Sequence, residues 1–230
     1  MGEIVLDSSG APGIPNALSV DSGGHVPIVK RQAAFGRKGI YRAGLTSPAI
    51  VTPSAGSVLW TLGPVFPTPQ PLVLVNSVKA ACTVASTITT AVQMDLGLYL
   101  LRGGGLIPGL ISGTAFAPTP ASQQQLRTSM GGSTSTLAIC GTPSNMSGTF
   151  DTNPIGRVLG FSGTVVGTQF FSPTLATLYQ RDQVDNYPIL LANTGANACD
   201  KLVIENVQAG PATGSFTITV IVEWEELAVY

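Results

Sequence analysis

Charge is what this chain has least of. Eleven basic and twelve acidic residues make up 10% of its 230 positions, against roughly 25% in ordinary soluble domains. The formal net charge is −1, so no global field draws it to nucleic acid or to an anionic membrane. A monomer in water normally covers itself with ionisable side chains. Their scarcity here, with a mean hydropathy of +0.34, implies an outside largely engaged by other protein, as in an assembly subunit. The competing reading is a monomer wetted by neutral Ser, Thr, Asn and Gln.

Histidine and cysteine are nearly missing too. A Ser-His-Asp or Cys-His constellation would have to use the single histidine, His25, which sits in irregular sequence beside Gly23-Gly24. The three cysteines, Cys82, Cys140 and Cys199, are odd in number and widely spaced, with no C-x-x-C. That excludes a disulfide framework and a zinc knuckle, and reads as buried free thiols in a reducing compartment. No long apolar run is present. The nearest, Pro71 to Val92, carries Asn76, Lys79 and many hydroxyl residues, and its β-branched content suits strands. The start, MGEIVLDSSG, has no basic segment ahead of an apolar one, so no secretory signal is expected.

What the chain does have is strand grammar. In Gly214 to Glu226 the residues Phe216, Ile218, Val220, Val222 and Trp224 fall at every second position, with Thr217, Thr219, Ile221, Glu223 and Glu225 between. Successive strand side chains point to opposite faces, so one wall is apolar and the other largely polar. Val92 to Leu101 repeats the pattern. Two half-buried strands so far apart need a second sheet to cover them, which predicts an all-β, antiparallel β-sandwich. The 27 glycines and 17 prolines fit tight turns.

Residues 1–45 show no sustained period and read as an extended, irregular N-terminal arm; residues 46–230 read as one sandwich domain. The arm carries Lys30, Arg31, Arg37, Lys38 and Arg42, which are candidate partner-binding residues, and short apolar clusters at Ile4-Val5-Leu6 and Val26-Pro-Ile-Val29. Further on, Ser57 to Leu62, Leu72 to Val75 and Leu137 to Cys140 read as strands, Ala80 to Thr90 as one or two, and Arg157 to Phe171 as a pair. Ala121 to Arg127 and Leu175 to Asp185 read as short helices. Leu202 to Val207 and Gly214 to Glu226 read as a hairpin. Eight to ten strands imply a jelly roll or a related Greek-key sandwich.

Catalytic chemistry finds little purchase. Gly103 to Gly109 lacks both the G-K-[ST] of a phosphate loop and the dinucleotide pattern, and reads as a turn. Asp182 and Asp185 have the makings of a carboxylate pair or a calcium ligand set, but acids near a turn are usually solvated. Glu223 and Glu225 share a strand face and either blunt an edge or meet basic residues of another subunit. The chain therefore reads as a non-enzyme without cofactor or metal.

The closing segment, Tyr187-Pro-Ile-Leu-Leu through Lys201-Leu-Val-Ile-Glu to Ile221-Val-Glu-Trp-Glu-Glu226, together with the charge-poor body and the leading arm, resembles jelly-roll structural proteins of tailed-phage virions. These are head decoration or cement subunits, with related collar or fibre modules. The resemblance implies a virion protein assembled in the host cytoplasm, a homo-oligomer, typically a trimer, that binds the major capsid protein or other virion subunits and reinforces the shell. Two alternatives stand beside it. One is a small icosahedral coat protein, whose arm is usually far more basic. The other is a glycan-binding fibre or lectin-like module using Trp60, Tyr99, Trp224 and Tyr230 as stacking platforms.

Overall fold

The structure, a computed structural model, describes residues 37–64, 72–105, 115–116, 123–126, 132–133, 135–144, 149–171, 174–181, 189–195 and 198–227. Its regular elements among these are all strands. In order they are β1 (Arg37–Thr46), β2 (Ile50–Val51), β3 (Ser57–Pro64), β4 (Leu72–Ser86), β5 (Gln93–Gly105), β6 (Ala115–Phe116), β7 (Gln123–Gln125) and β8 (Ser135–Ser144). There follow β9 (Thr149–Phe150), β10 (Gly156–Phe161), β11 (Ala176–Gln180), β12 (Ile189–Leu191), β13 (Asn193–Gly195), β14 (Ala198–Asn206) and β15 (Ser215–Leu227).

They form two antiparallel sheets packed as a β-sandwich. The first runs β11-β4-β15-β1-β7, with β12 beside β4 and β2 beside β15. The second runs β10-β5-β14-β3-β8-β6, with β13 beside β14 and β9 beside β5. The pairing is nested. β1 pairs with β15, β3 with β14, β4 with β11 and β5 with β10, as in a long ribbon folded on itself.

The alternation read from the C-terminal stretch is realised in β15. Phe216, Ile218, Val220, Val222 and Trp224 are all fully buried, facing Met94, Leu96, Leu98 and Leu100 of β5 across the core. Trp224 stacks on Tyr41 at 5.6 Å between ring centres, and Phe216 packs on Phe170 at 5.4 Å. Such pairs contribute about 0.5–1.5 kcal/mol beyond their buried area.

Five expectations are corrected. The arm cannot extend to residue 45, because Arg37–Thr46 is β1, held by β15 on one side and β7 on the other. The compact unit accordingly begins at Gly36. The hairpin between Leu202–Val207 and Gly214–Glu226 does not form. β14 and β15 lie in different sheets, since each has an apolar face that only the opposite layer covers. Ala121 to Arg127 contains β7, and Leu175 to Asp185 contains β11. Backbone donors along β1 and β4 recruit these segments as edge strands, so ladder pairing prevails over weak helical propensity. Arg157 to Phe171 holds one strand, β10, and then a turn whose residues run along β4. Gly167 N–H donates to Val84 O and Phe170 N–H to Cys82 O.

One side of the sandwich closes by backbone contact. A Cβ on Gly156 would stand 1.7 Å from Leu178 O, and one on Gly160 2.2 Å from Phe170 O. Glycine at both positions lets β10 of one sheet meet β11 and its approach from the other.

Candidate functional site

The basic residues expected to reach a partner are not together on an arm. Lys30 and Arg31 lie outside the described residues, as does His25. Arg37 and Lys38 are the first residues of β1. Arg42 sits mid-strand and is engaged within the chain: its Nε donates to Glu223 Oε1 at 2.7 Å and its Nη2 to the same oxygen. Glu225 receives Asn76 Nδ2 at 3.1 Å and has Arg181 Nη1 at 4.0 Å. The two glutamates do share the outer face of the first sheet, but their nearest cations belong to their own chain. Asp182 and Asp185 fall outside the described residues. Among the described residues no cluster of three metal-ligating side chains occurs, and no helix is long and apolar enough to cross a membrane. Cys82 is buried in the core, where desolvation pushes its thiol strongly up. Trp60 and Trp224 are fully buried core residues and cannot serve as stacking platforms. Tyr230 is outside the described residues.

Many of the few charges are turned inward. Asp95, Asp200, Lys201, Glu225 and Glu226 are buried. The buried carboxylate of Glu226 joins the two sheets. It accepts Ser133 Oγ–H at 2.6 Å, Ser135 N–H at 3.0 Å and Ser135 Oγ–H at 2.8 Å, with Trp224 Nε1–H at 3.4 Å. Beside it, burial and, secondly, Glu226 push the Tyr41 hydroxyl up to about 12. A carboxylate so enclosed is a clasp between β15 and β8.

The outer face of the second sheet holds the chemistry that is open to a partner. Met94, Leu96, Leu98 and Leu100 of β5 face the core, so Asp95, Gly97 and Tyr99 face out. The register sets Glu205 on β14, Gly97 on β5 and Arg157 on β10 in one row, with Leu159 beside Asp95 in the next. Arg157 grips the buried Asp95 with both arms, Nε to Oδ1 at 2.7 Å and Nη2 to Oδ2. The Tyr99 ring lies over Gly97, where a Cβ would come within 2.4 Å of it, and meets Phe150 edge-on at 6.1 Å. Burial pushes the Tyr99 hydroxyl up, Glu205 and Asp95 push the same way, and Arg157 opposes them. Burial alone raises the Glu205 carboxyl.

Along the rim of this face runs an exposed apolar row: Ile155, Leu159 and Phe161 are 39%, 55% and 68% exposed. Val165 and Val166 are exposed as well, in the turn that runs along β4. The reading of Arg157 to Phe171 from sequence missed it, because Val158, Leu159 and Phe161 give no clean alternation. The signal lay in the glycines. Gly156 and Gly160 must face the other sheet, so Arg157, Leu159 and Phe161 must face out.

Comparison with protein-family models, with curated proteins and with solved structures gives no match.

Proposed function

We propose that this chain is a non-enzymatic virion structural protein, a jelly-roll subunit that oligomerises and decorates and stabilises a capsid shell. The nested pairing of β1 with β15, β3 with β14, β4 with β11 and β5 with β10 supports the jelly-roll reading. The observation that carries the function is the disposition of charge. Among the described residues five charged side chains are buried, and Arg42, Arg102, Arg157 and Arg181 each lie against a carboxylate of the same chain. Between these paired charges the outward surface carries neutral hydroxyls and the apolar rim of β10. Cement proteins hold a shell through many weak neutral patches spread over a wide contact, and need no single dominant residue. The partner is the major capsid protein or another virion subunit.

Cosedimentation of the purified chain with tailed-phage heads tests the reading. Saturable binding at a fixed ratio to capsid subunits is expected. Closed shells formed by the chain alone would make it a coat protein, and binding to a glycan array without binding to heads would make it a lectin-like module. Because β1 begins at Arg37, the arm is removed by deleting residues 1–35. That truncation is expected to melt at the wild-type temperature and to bind heads at least about tenfold more weakly, a loss of roughly 1.4 kcal/mol. Unchanged binding would remove the arm from the function.

A further inference from the structure

Two opposite charges stand at mirror positions on the outer face of the second sheet. β10 and β14 flank β5, and Arg157 and Glu205 both align with Gly97 between them. At about 4.8 Å per strand spacing they start roughly 10 Å apart, one on each side of β5. Arg157 holds Asp95 through Nε and Nη2, which leaves its Nη1 free to donate elsewhere. Glu205 is a partly buried carboxylate that forms no ion pair among the described residues. Val207 also faces out here, its Cγ2 being 3.0 Å from where a Cβ on Gly97 would stand.

A two-fold axis lying in an interface exchanges the two sides of the axis. We infer that this face docks on the same face of a second copy, about an axis along β5, so that Arg157 of each copy meets Glu205 of the partner subunit. The same operation sets Leu159 against Val207 of the partner subunit and removes the apolar rim around Phe161 from water. The surface is self-complementary in sign and in apolarity, which selects a second copy over a uniformly acidic or basic partner. The inference deepens the assembly-subunit reading and rests on it, and it makes the elementary contact a pair in place of the trimer that the resemblance implies.

The size of the face decides how strong the contact is. From Ile155 to Phe161 is about 20 Å at 3.4 Å per residue, and β10 to β14 is about 10 Å, so its centre covers on the order of 200 Å². Stable interfaces bury about 800 Å² per partner. Free in solution the pair therefore forms weakly, with a dissociation constant on the order of 100 µM. Side by side on a lattice, the effective concentration of neighbouring copies makes the same contact count.

Sedimentation velocity of the full chain from about 10 to about 500 µM, a span that brackets this constant, is the test. The wild type should pass from a 23.6 kDa species toward a dimer. Phe161→Asp and Glu205→Arg should weaken that dimer at least tenfold, while Thr46→Glu, on the outer face of the other sheet, should leave it intact. Circular dichroism checks that each variant is folded. A wild type that stays monomeric throughout, or an association that Phe161→Asp leaves unchanged, overturns the inference. A dimer lost in Phe161→Asp supports it whether or not heads are bound. Dimerisation without head binding removes the virion reading alone.

Discussion

Glu226 shows what a single buried charge does in this molecule. Its Oε1 collects the Ser133 hydroxyl and both donors of Ser135, and Ser135, in the opposite sheet, is buried. Glu226→Ala removes the acceptor that the buried Ser135 hydroxyl and the half-buried Ser133 hydroxyl share, at a cost of about 3 kcal/mol. For a chain of this size that lowers the melting temperature by roughly 6–12 °C, measured by calorimetry; a fall under about 2 °C, worth less than 1 kcal/mol, would contradict the clasp. Glu205 works the other way. Burial raises its carboxyl pKa in the folded state, so the fold binds that proton more tightly than the unfolded chain does. Its contribution is fully present below the unfolded value of about 4.3 and is lost as pH rises through the higher folded value. Glu205→Gln, neutral at every pH, should match the wild type near pH 4 and melt above it near pH 7. The comparison is made near 10 µM, below the expected dimerisation range. Equal melting temperatures at both pH values would mean that the carboxylate is not desolvated.

Among the elements, those with a strict period of two are legible in the sequence. β15 and β5 each alternate over most of their length, and the apolar residues that the spacing assigns to the inner wall of each lie in the core. The errors came where neighbours in sequence stood in for neighbours in space. β14 and β15 look like a hairpin because a short loop rich in Gly and Pro joins them, yet each pairs with strands far away in the chain. β7 and β11 looked helical because a three- or five-residue edge strand has too few positions to display a period. β10 was found, but its faces were not, since their assignment depends on how near the opposite backbone comes to Gly156 and Gly160. Gly156→Ala tests that closure. Its Cβ has nowhere to stand beside Leu178 O, and relief by moving β10 outward should cost about 1–3 kcal/mol and speed amide exchange in β11 before the rest of the sandwich. A variant as stable and as well protected as the wild type would show that the two edges are not in contact.

At the scale of the molecule, scarcity of charge was visible from composition, but its arrangement was not. Nothing in the spacing of Asp95, Lys201 or Glu226 says that they are buried, or that Arg42 faces Glu223 across a ladder. Those facts depend on register between strands distant in sequence. They sharpen the reading, because every charge turned inward or paired within the chain leaves the outside more neutral than the composition alone implies. The apolar part of contacts between such faces loses little when salt screens charges, and apolar burial gains from excluded salts. Light scattering of the full chain at about 500 µM, in roughly 20 mM and roughly 1 M salt, is the most direct measurement of this, since those conditions straddle the screening range. The expected result is a mass above 23.6 kDa that persists in high salt. A single species of monomer mass at both ionic strengths would contradict it.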